Sequence, residues 1–258
     1  MNPVFSSVDY DKFRALRITQ VALQLEELLK DDGNDTKTPE ELFLTAVDDA
    51  LELRRSNRID KLIRQAGFPI QHATIAEISY LPERGVNAVR MKRYASHDWK
   101  ADFRNLLLIS PSGGGKTYIA CAIGIAACHT EHNVHYTRMD ELARELLVAR
   151  GDRIVHQNLM NKLSDVDLLI IDDFLTIGID ETAANDLFTV LTNRDQRLPT
   201  VIASQSGPTY WVETLPEKIA ADSIVNRLAN QARTINLGEL DMRRLRDQQA
   251  RAATDFWE

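Results

Sequence analysis

Hydrophobic positions in the first 66 residues recur at helical spacing. Phe13, Leu16, Val21, Leu25 and Leu28 predict one helix over roughly 11–30, which Asp31-Asp32-Gly33-Asn34 stops. Thr38-Pro39-Glu40-Glu41 then supplies a capping hydroxyl, a proline at the first helical position and a glutamate three after the cap, so a second helix starts there. Its expected inward positions are Phe43, Val47, Ala50 and Leu51. The pattern breaks at Gly67-Phe68-Pro69, which sets an expected boundary between a helical N-terminal domain, 1–66, and the remainder, 67–258.

From Asn105 onward the period changes. Short apolar runs at 105–109, 133–137, 166–171, 200–204 and 232–236 alternate with helical stretches, as a parallel sheet with helical crossovers requires. The third run lies in DLLIIDDF (Asp167 to Phe174), four apolar residues bounded by acids, and reads as a strand buried on both faces. Gly207-Pro208 ends the fourth in a turn. Only about twenty residues follow the last run, which leaves no room for a separate helical lid.

The first run leads into the chemistry. In NLLLISPSGGGKTY (Asn105 to Tyr118) an apolar strand breaks into a glycine-rich loop, and a Lys-Thr pair opens an alanine-rich helix. Such a loop turns successive backbone N–H groups inward to cradle phosphates, and the helix adds its positive dipole end. Ser112, Gly113, Gly114, Gly115, Lys116, Thr117 and Tyr118 are the expected nucleotide-binding residues, with Lys116 on the β and γ phosphates and the Thr117 hydroxyl on Mg²⁺. Ser110 stands where the pattern has its first glycine, which predicts weaker or slower binding rather than none. The acid strand supplies the complement: Asp172 for Mg²⁺ and Asp173 to orient or polarise the attacking water.

Composition narrows the setting. With 258 residues, 44% hydrophobic and 27% charged, the chain can bury a core; no run of 18 apolar residues occurs and MNPVFSSVDYDKF lacks a leader pattern, so a cytoplasmic protein without membrane contact is expected. Cys121 and Cys128, seven apart on one helix, are expected as buried free thiols. His129, His132 and His135 have no acid or cysteine partner spaced for zinc. A net charge of −7 argues against coating nucleic acid by bulk electrostatics. Local contacts stay open: Arg54, Arg58 and Lys61 share a helical face and Arg90, Lys92 and Arg93 cluster, and either group is a DNA contact or a solvated face.

With these residues placed, the sequence resembles the IstB-like branch of AAA+ ATPases, the transposition helpers of insertion sequences, related to the helicase loader DnaC. The resemblance rests on LRRSNRIDKLIRQAGFP (53–69), HDW (97–99), the P-loop, LLIIDDF, ASQ (203–205) followed by Trp211, and IVNRLANQARTINL (224–237). It implies an α/β P-loop NTPase of AAA+ type: a parallel sheet with flanking helices, a small all-helical N-terminal domain, and a lid reduced or absent. It also implies a catalytic set of Lys116, Asp173, Gln205 and Arg227, with Gln205 as a polar sensor, a task Ser204 could share, and Arg227 as an arginine finger acting on a neighbouring subunit. Arg243 falls where the family has serine-x-arginine, but Asp241 replaces the serine, so whether Arg243 acts as a nucleotide sensor stays open. Asp173 replaces the longer glutamate of many AAA+ proteins, which predicts slow turnover. Trp211 is expected to be buried rather than to stack on a base.

The function implied is an ATPase using ATP and Mg²⁺, stimulated by DNA or by assembly, that forms a homo-oligomer on double-stranded DNA and regulates a partner transposase. Two alternatives stand beside it. One is a DnaC-like loader of a replicative helicase; the other is a nucleotide-gated scaffold without turnover or DNA contact.

Overall fold

The computed structural model describes residues 4–216 and 218–254. The chain divides into two compact units, 1–61 and 62–258. In the first, α1 (Ser7–Ala15) opens with a capping box in which Ser6 and Asp9 satisfy each other's backbone N–H. The single helix expected over 11–30 is in fact two, α1 and α2 (Thr19–Lys30). Arg17 enters the left-handed region (φ 59), its N–H donates to Arg14 O, and the Ile18 N–H donates to Phe13 O. That pair of bonds is a Schellman ending. Glycine usually marks one, and here an arginine occupies the position.

A short 3-10 turn, Asp32–Asn34, leads to α3 (Pro39–Ala66). Its inward stripe within the unit is Leu42, Ala46 and Ala50. Ala50 was expected there; Phe43 and Leu51 were too, but they are 48% and 57% exposed. Small alanines form the contact face, so the bulkiest apolar residues mark the wrong side of this helix.

The second unit begins with the last turn of α3 and α4 (Ala88–Tyr94). It then alternates: β1 (Leu106–Ile109), α5 (Lys116–His129), β2 (Val134–Arg138), α6 (Met139–Ala149), α7 (Arg153–Asp165), β3 (Leu168–Asp172), α8 (Glu181–Arg194), β4 (Thr200–Ser204), α9 (Pro208–Thr214), α10 (Lys218–Ala229), β5 (Arg233–Asn236) and α11 (Met242–Thr254). All five expected strands form. They pair in parallel in the order β2-β3-β4-β1-β5.

Alternate residues of each inner strand feed two cores. Leu106, Leu108, Leu168, Ile170, Val201 and Ala203 pack with α5 and Phe68 on one face, and Leu107, Leu169, Ile171 and Ile202 pack under α6 to α10 on the other. Burial on both sides is why β1, β3 and β4 read as unbroken apolar runs. Because every strand points the same way, the C-terminal ends of β1, β3 and β4 share one edge. At the other edge Asn105 ties elements together: its amide nitrogen donates to Arg227 O (2.8 Å) and its oxygen accepts from the Thr200 N–H (2.8 Å).

Cys121 and Cys128 are buried free thiols, and burial pushes each up to about 12. His135 lies inside β2 with neither ring nitrogen bonded among the described residues. Burial, with a smaller contribution from Lys162, lowers its pKa from 6.5 to about 4. The folded protein therefore binds this proton less readily than the unfolded chain. Stability from this group is intact above pH 6.5 and is lost as pH falls toward 4. We expect His135→Leu to flatten that acid-side decline, a gain of about 1 kcal/mol over wild type one pH unit below 6.5. Urea midpoints of both proteins at pH 7.5 and 5.5 check it; parallel declines would show that the ring is not the source.

Candidate nucleotide site

The phosphate-loop geometry follows from residue size. Gly113 and Gly115 hold φ values of 84 and 85, where a side chain would be strained. Gly114 matters differently: a β-carbon there would stand 2.2 Å from Ser110 Oγ. The serine in the first-glycine position thus fits because the loop is bare at 114. Lys116 is 6% exposed, and its Nζ donates to Ser110 O (2.7 Å) and Pro111 O (2.9 Å). Burial lowers its pKa, partly opposed by Asp172 and Asp173.

Asp172 closes the far side. The carboxylate is 1% exposed and takes three donors: Thr117 Oγ1 (2.6 Å) and Tyr136 OH (2.8 Å) on Oδ2, and the Asp173 N–H (2.8 Å) on Oδ1. Burial first, then Asp172, raises the Tyr136 phenol above its ordinary value, so it stays a donor. Thr117 and Asp172, expected together, meet directly across 55 residues of sequence.

Asp173 follows in a left-handed conformation (φ 50), and its Oδ2 lies 3.2 Å from the Arg138 guanidinium. Register explains the pairing, since Arg138 stands opposite Asp172 in the ladder. Gln205, just past β4, lines the same cavity. Ser204 does not share its freedom: the hydroxyl donates to Phe174 O (2.9 Å) and accepts from Trp211 Nε1 (3.0 Å). Trp211 is fully buried, edge-on to Phe174.

The cavity, about 330 Å³, also has walls that the sequence did not indicate. Pro69 and Ile70 form one, and Met242, Arg243 and Arg246 of α11 form another. Arg243, whose role the sequence left open, therefore lines the site. The first turn of α11 is bound to the phosphate loop, with the Met242 N–H donating to Gly113 O (2.9 Å). Asp241 caps that turn by accepting from the N–H groups of Arg243 and Arg244. The lid is thus reduced to one helix among the described residues. Arg84 is a further contact without a sequence signal, its Nη2 donating to Gly114 O from behind the loop (2.8 Å).

Arg227 is not part of this cavity. It sits near the opposite edge of the sheet beside Asn105, with its guanidinium 5.0 Å from the Phe188 ring, Nη1 donating to Ser223, and Asp195 at 4.0 Å. From there it cannot reach a nucleotide held by its own chain.

The phosphate loop, the acid strand and the flanking segments together match the family described as IstB-like ATP binding protein over residues 12–250. The chain belongs to that family. The insertion-sequence ATP-binding protein y4pL of Sinorhizobium fredii is 30% identical over 91% of this chain and 95% of its own length. The ATP-binding protein of insertion sequence IS1162 from Pseudomonas fluorescens is 31% identical over 74% of this chain and 82% of its own. Among solved structures, DnaI superposes with a TM-score of 0.55 at 19% identity, over 66% of this chain and 90% of that one. AMPPCP-bound DnaA from Aquifex aeolicus gives 0.55 at 16%, over 69% and 55%. These likenesses carry the fold: the IstB-like chain has the five-stranded parallel sheet of AAA+ P-loop NTPases. No described helix is long and apolar enough to cross a membrane.

Proposed function

We propose that this IstB-like protein is a cytoplasmic ATP-dependent regulator of transposition that assembles on duplex DNA and stimulates or targets a partner transposase. The observation that carries the reading is the joining of Lys116, Thr117 and Asp172 around one cavity in a chain whose relatives are insertion-sequence ATP-binding proteins. Mg²⁺ suits the hard oxygen donors of Thr117 and Asp172, which would hold it, and it would neutralise charge on the phosphates. Lys116 binds the β and γ phosphates. Asp173 orients the attacking water, and Gln205 contacts that water or the γ-phosphate. The short aspartate, strained and paired with Arg138, keeps turnover slow until assembly rearranges it.

Arg227 serves the nucleotide of a neighbouring copy, because it lies away from its own. Assembly is thereby conditional on ATP, and hydrolysis undoes it. Duplex DNA is held largely through its phosphates, with Arg54, Arg58 and Lys61 on α3 and Arg90, Lys92 and Arg93 on α4 all exposed for the purpose. Target choice then follows from how readily a duplex deforms.

A gel-shift series tests this with duplexes of about 60 base pairs, with and without ATP, at two salt concentrations. The expected result is a shift that needs ATP and weakens with salt. Unchanged mobility throughout would remove DNA from the proposal and favour the nucleotide-gated scaffold.

A further inference from the structure

Behind the phosphate loop, outside the cavity, lies the buried guanidinium of Arg84. Arg84 is 7% exposed, and no carboxylate among the described residues is paired with it. Its Nη1 donates to Ser79 O (2.8 Å), its Nη2 to Gly114 O (2.8 Å), and its Nε has no partner among the described residues. Burial makes its charged form harder to keep, so its pKa falls below the ordinary arginine value. Holding an unpaired charge in a buried place is costly unless something compensates it.

Its placement is rigid. The Arg84 N–H donates to Leu81 O (3.0 Å), and the next residue, Gly85, lies so close to the end of β5 that a β-carbon would come within 2.0 Å of Asn236 O. The backbone of Arg84 and Gly85 is therefore held against the end of β5, while the guanidinium bridges Ser79 O and Gly114 O. In a trans peptide the carbonyl and the following N–H point in opposite directions. With Gly114 O turned toward Arg84, the Gly115 N–H turns away from it, toward the side where Gly113, Gly115 and Lys116 line the cavity.

We propose that Arg84 is a positioning residue for the triphosphate: it sets the Gly114–Gly115 peptide so that its N–H faces the phosphates, and its unpaired charge is compensated only when that anion is bound. The inference rests on the nucleotide reading of the same site and adds a residue to it. It also accounts for a serine at 110, since a loop lacking its first glycine gains an external brace.

The test uses the full chain as wild type, Arg84→Met and Arg84→Lys, with a fluorescent ATP analogue plus Mg²⁺ and with thermal unfolding in the absence of nucleotide. Arg84→Met should weaken analogue binding tenfold or more while the nucleotide-free Tm stays within about 2 °C of wild type or rises, because a buried unpaired charge has been removed. Arg84→Lys keeps the charge but cannot bridge both carbonyls. It should raise KM for ATP with kcat near wild type, which also keeps the proposal testable if the methionine variant fails to fold. Wild-type affinity in Arg84→Met would overturn the proposal, as would a Tm loss that tracks the affinity loss in both variants, the mark of a purely structural pin. Failure of the wild type itself to bind the analogue would instead overturn the nucleotide reading.

Discussion

Lys116→Ala is expected to abolish ATP binding and, with it, ATP-dependent assembly on DNA. The lysine is the one cation within the loop itself, and its Nζ donates to the carbonyls of Ser110 and Pro111. Removal leaves those two carbonyls without that donor, at a cost of about 1–3 kcal/mol for each that water cannot reach. It also removes the point charge that phosphates require. A nucleotide at a hundredfold excess over its Kd stabilises the wild type by about 2.7 kcal/mol. That increment should vanish in the variant, whose own baseline should fall by the cost of the lost carbonyl bonds alone. Thermal unfolding of both proteins, with and without ATP and Mg²⁺, separates the two effects. A nucleotide-dependent rise in Tm that survives in Lys116→Ala would show that the phosphates lie elsewhere.

Arg227→Ala should behave in the opposite way. Its present contacts are a cation–π pair with Phe188, bonds to Ser223 and a loose approach to Asp195, together worth about 1 kcal/mol of fold stability at a partly exposed position. Nucleotide binding should stay near wild type, while turnover drops by about a thousandfold, the lower end for an arginine that stabilises a transferring phosphoryl group. The decisive arm mixes the two variants. A Lys116→Ala subunit can lend its Arg227 to an Arg227→Ala subunit that holds ATP, so the mixture should recover part of the activity that neither has alone. Equal loss of binding and turnover in Arg227→Ala, or a silent mixture, would place the residue outside the chemistry.

The strands and the glycine-rich loop after β1 were legible because both are written locally. Residues 105–118 carry strand, loop and helix start in one stretch, and four apolar residues before Asp172 announce a strand buried on both faces. The helices of the first unit were less legible. Arg17 ends α1 in a conformation that residue type does not advertise, and the packed face of α3 is made of alanines, which periodicity weighs lightly beside Phe43 and Leu51. The outer parts of the site had no local signal. Arg84 reaches Gly114 across 30 residues, Tyr136 reaches Asp172 across 36, and Arg243 arrives from past the last strand. Only the folded sheet makes them neighbours. Ser204 and Gln205 looked interchangeable in sequence; the buried Trp211 indole separates them by occupying the serine.

The fit between Ser110 and Gly114 constrains the order in which this loop can change. A methyl group added at 114 first would collide with the Ser110 hydroxyl oxygen at 2.2 Å and with its β-carbon at 2.9 Å. If position 110 becomes glycine beforehand, the nearest remaining obstacle is Pro111 O at 3.3 Å, a crowding that a small shift relieves. One mutational route between the two loop sequences is open and its reverse is blocked, so laboratory evolution of this loop will find alanine at 114 only in lineages that have already given up the serine.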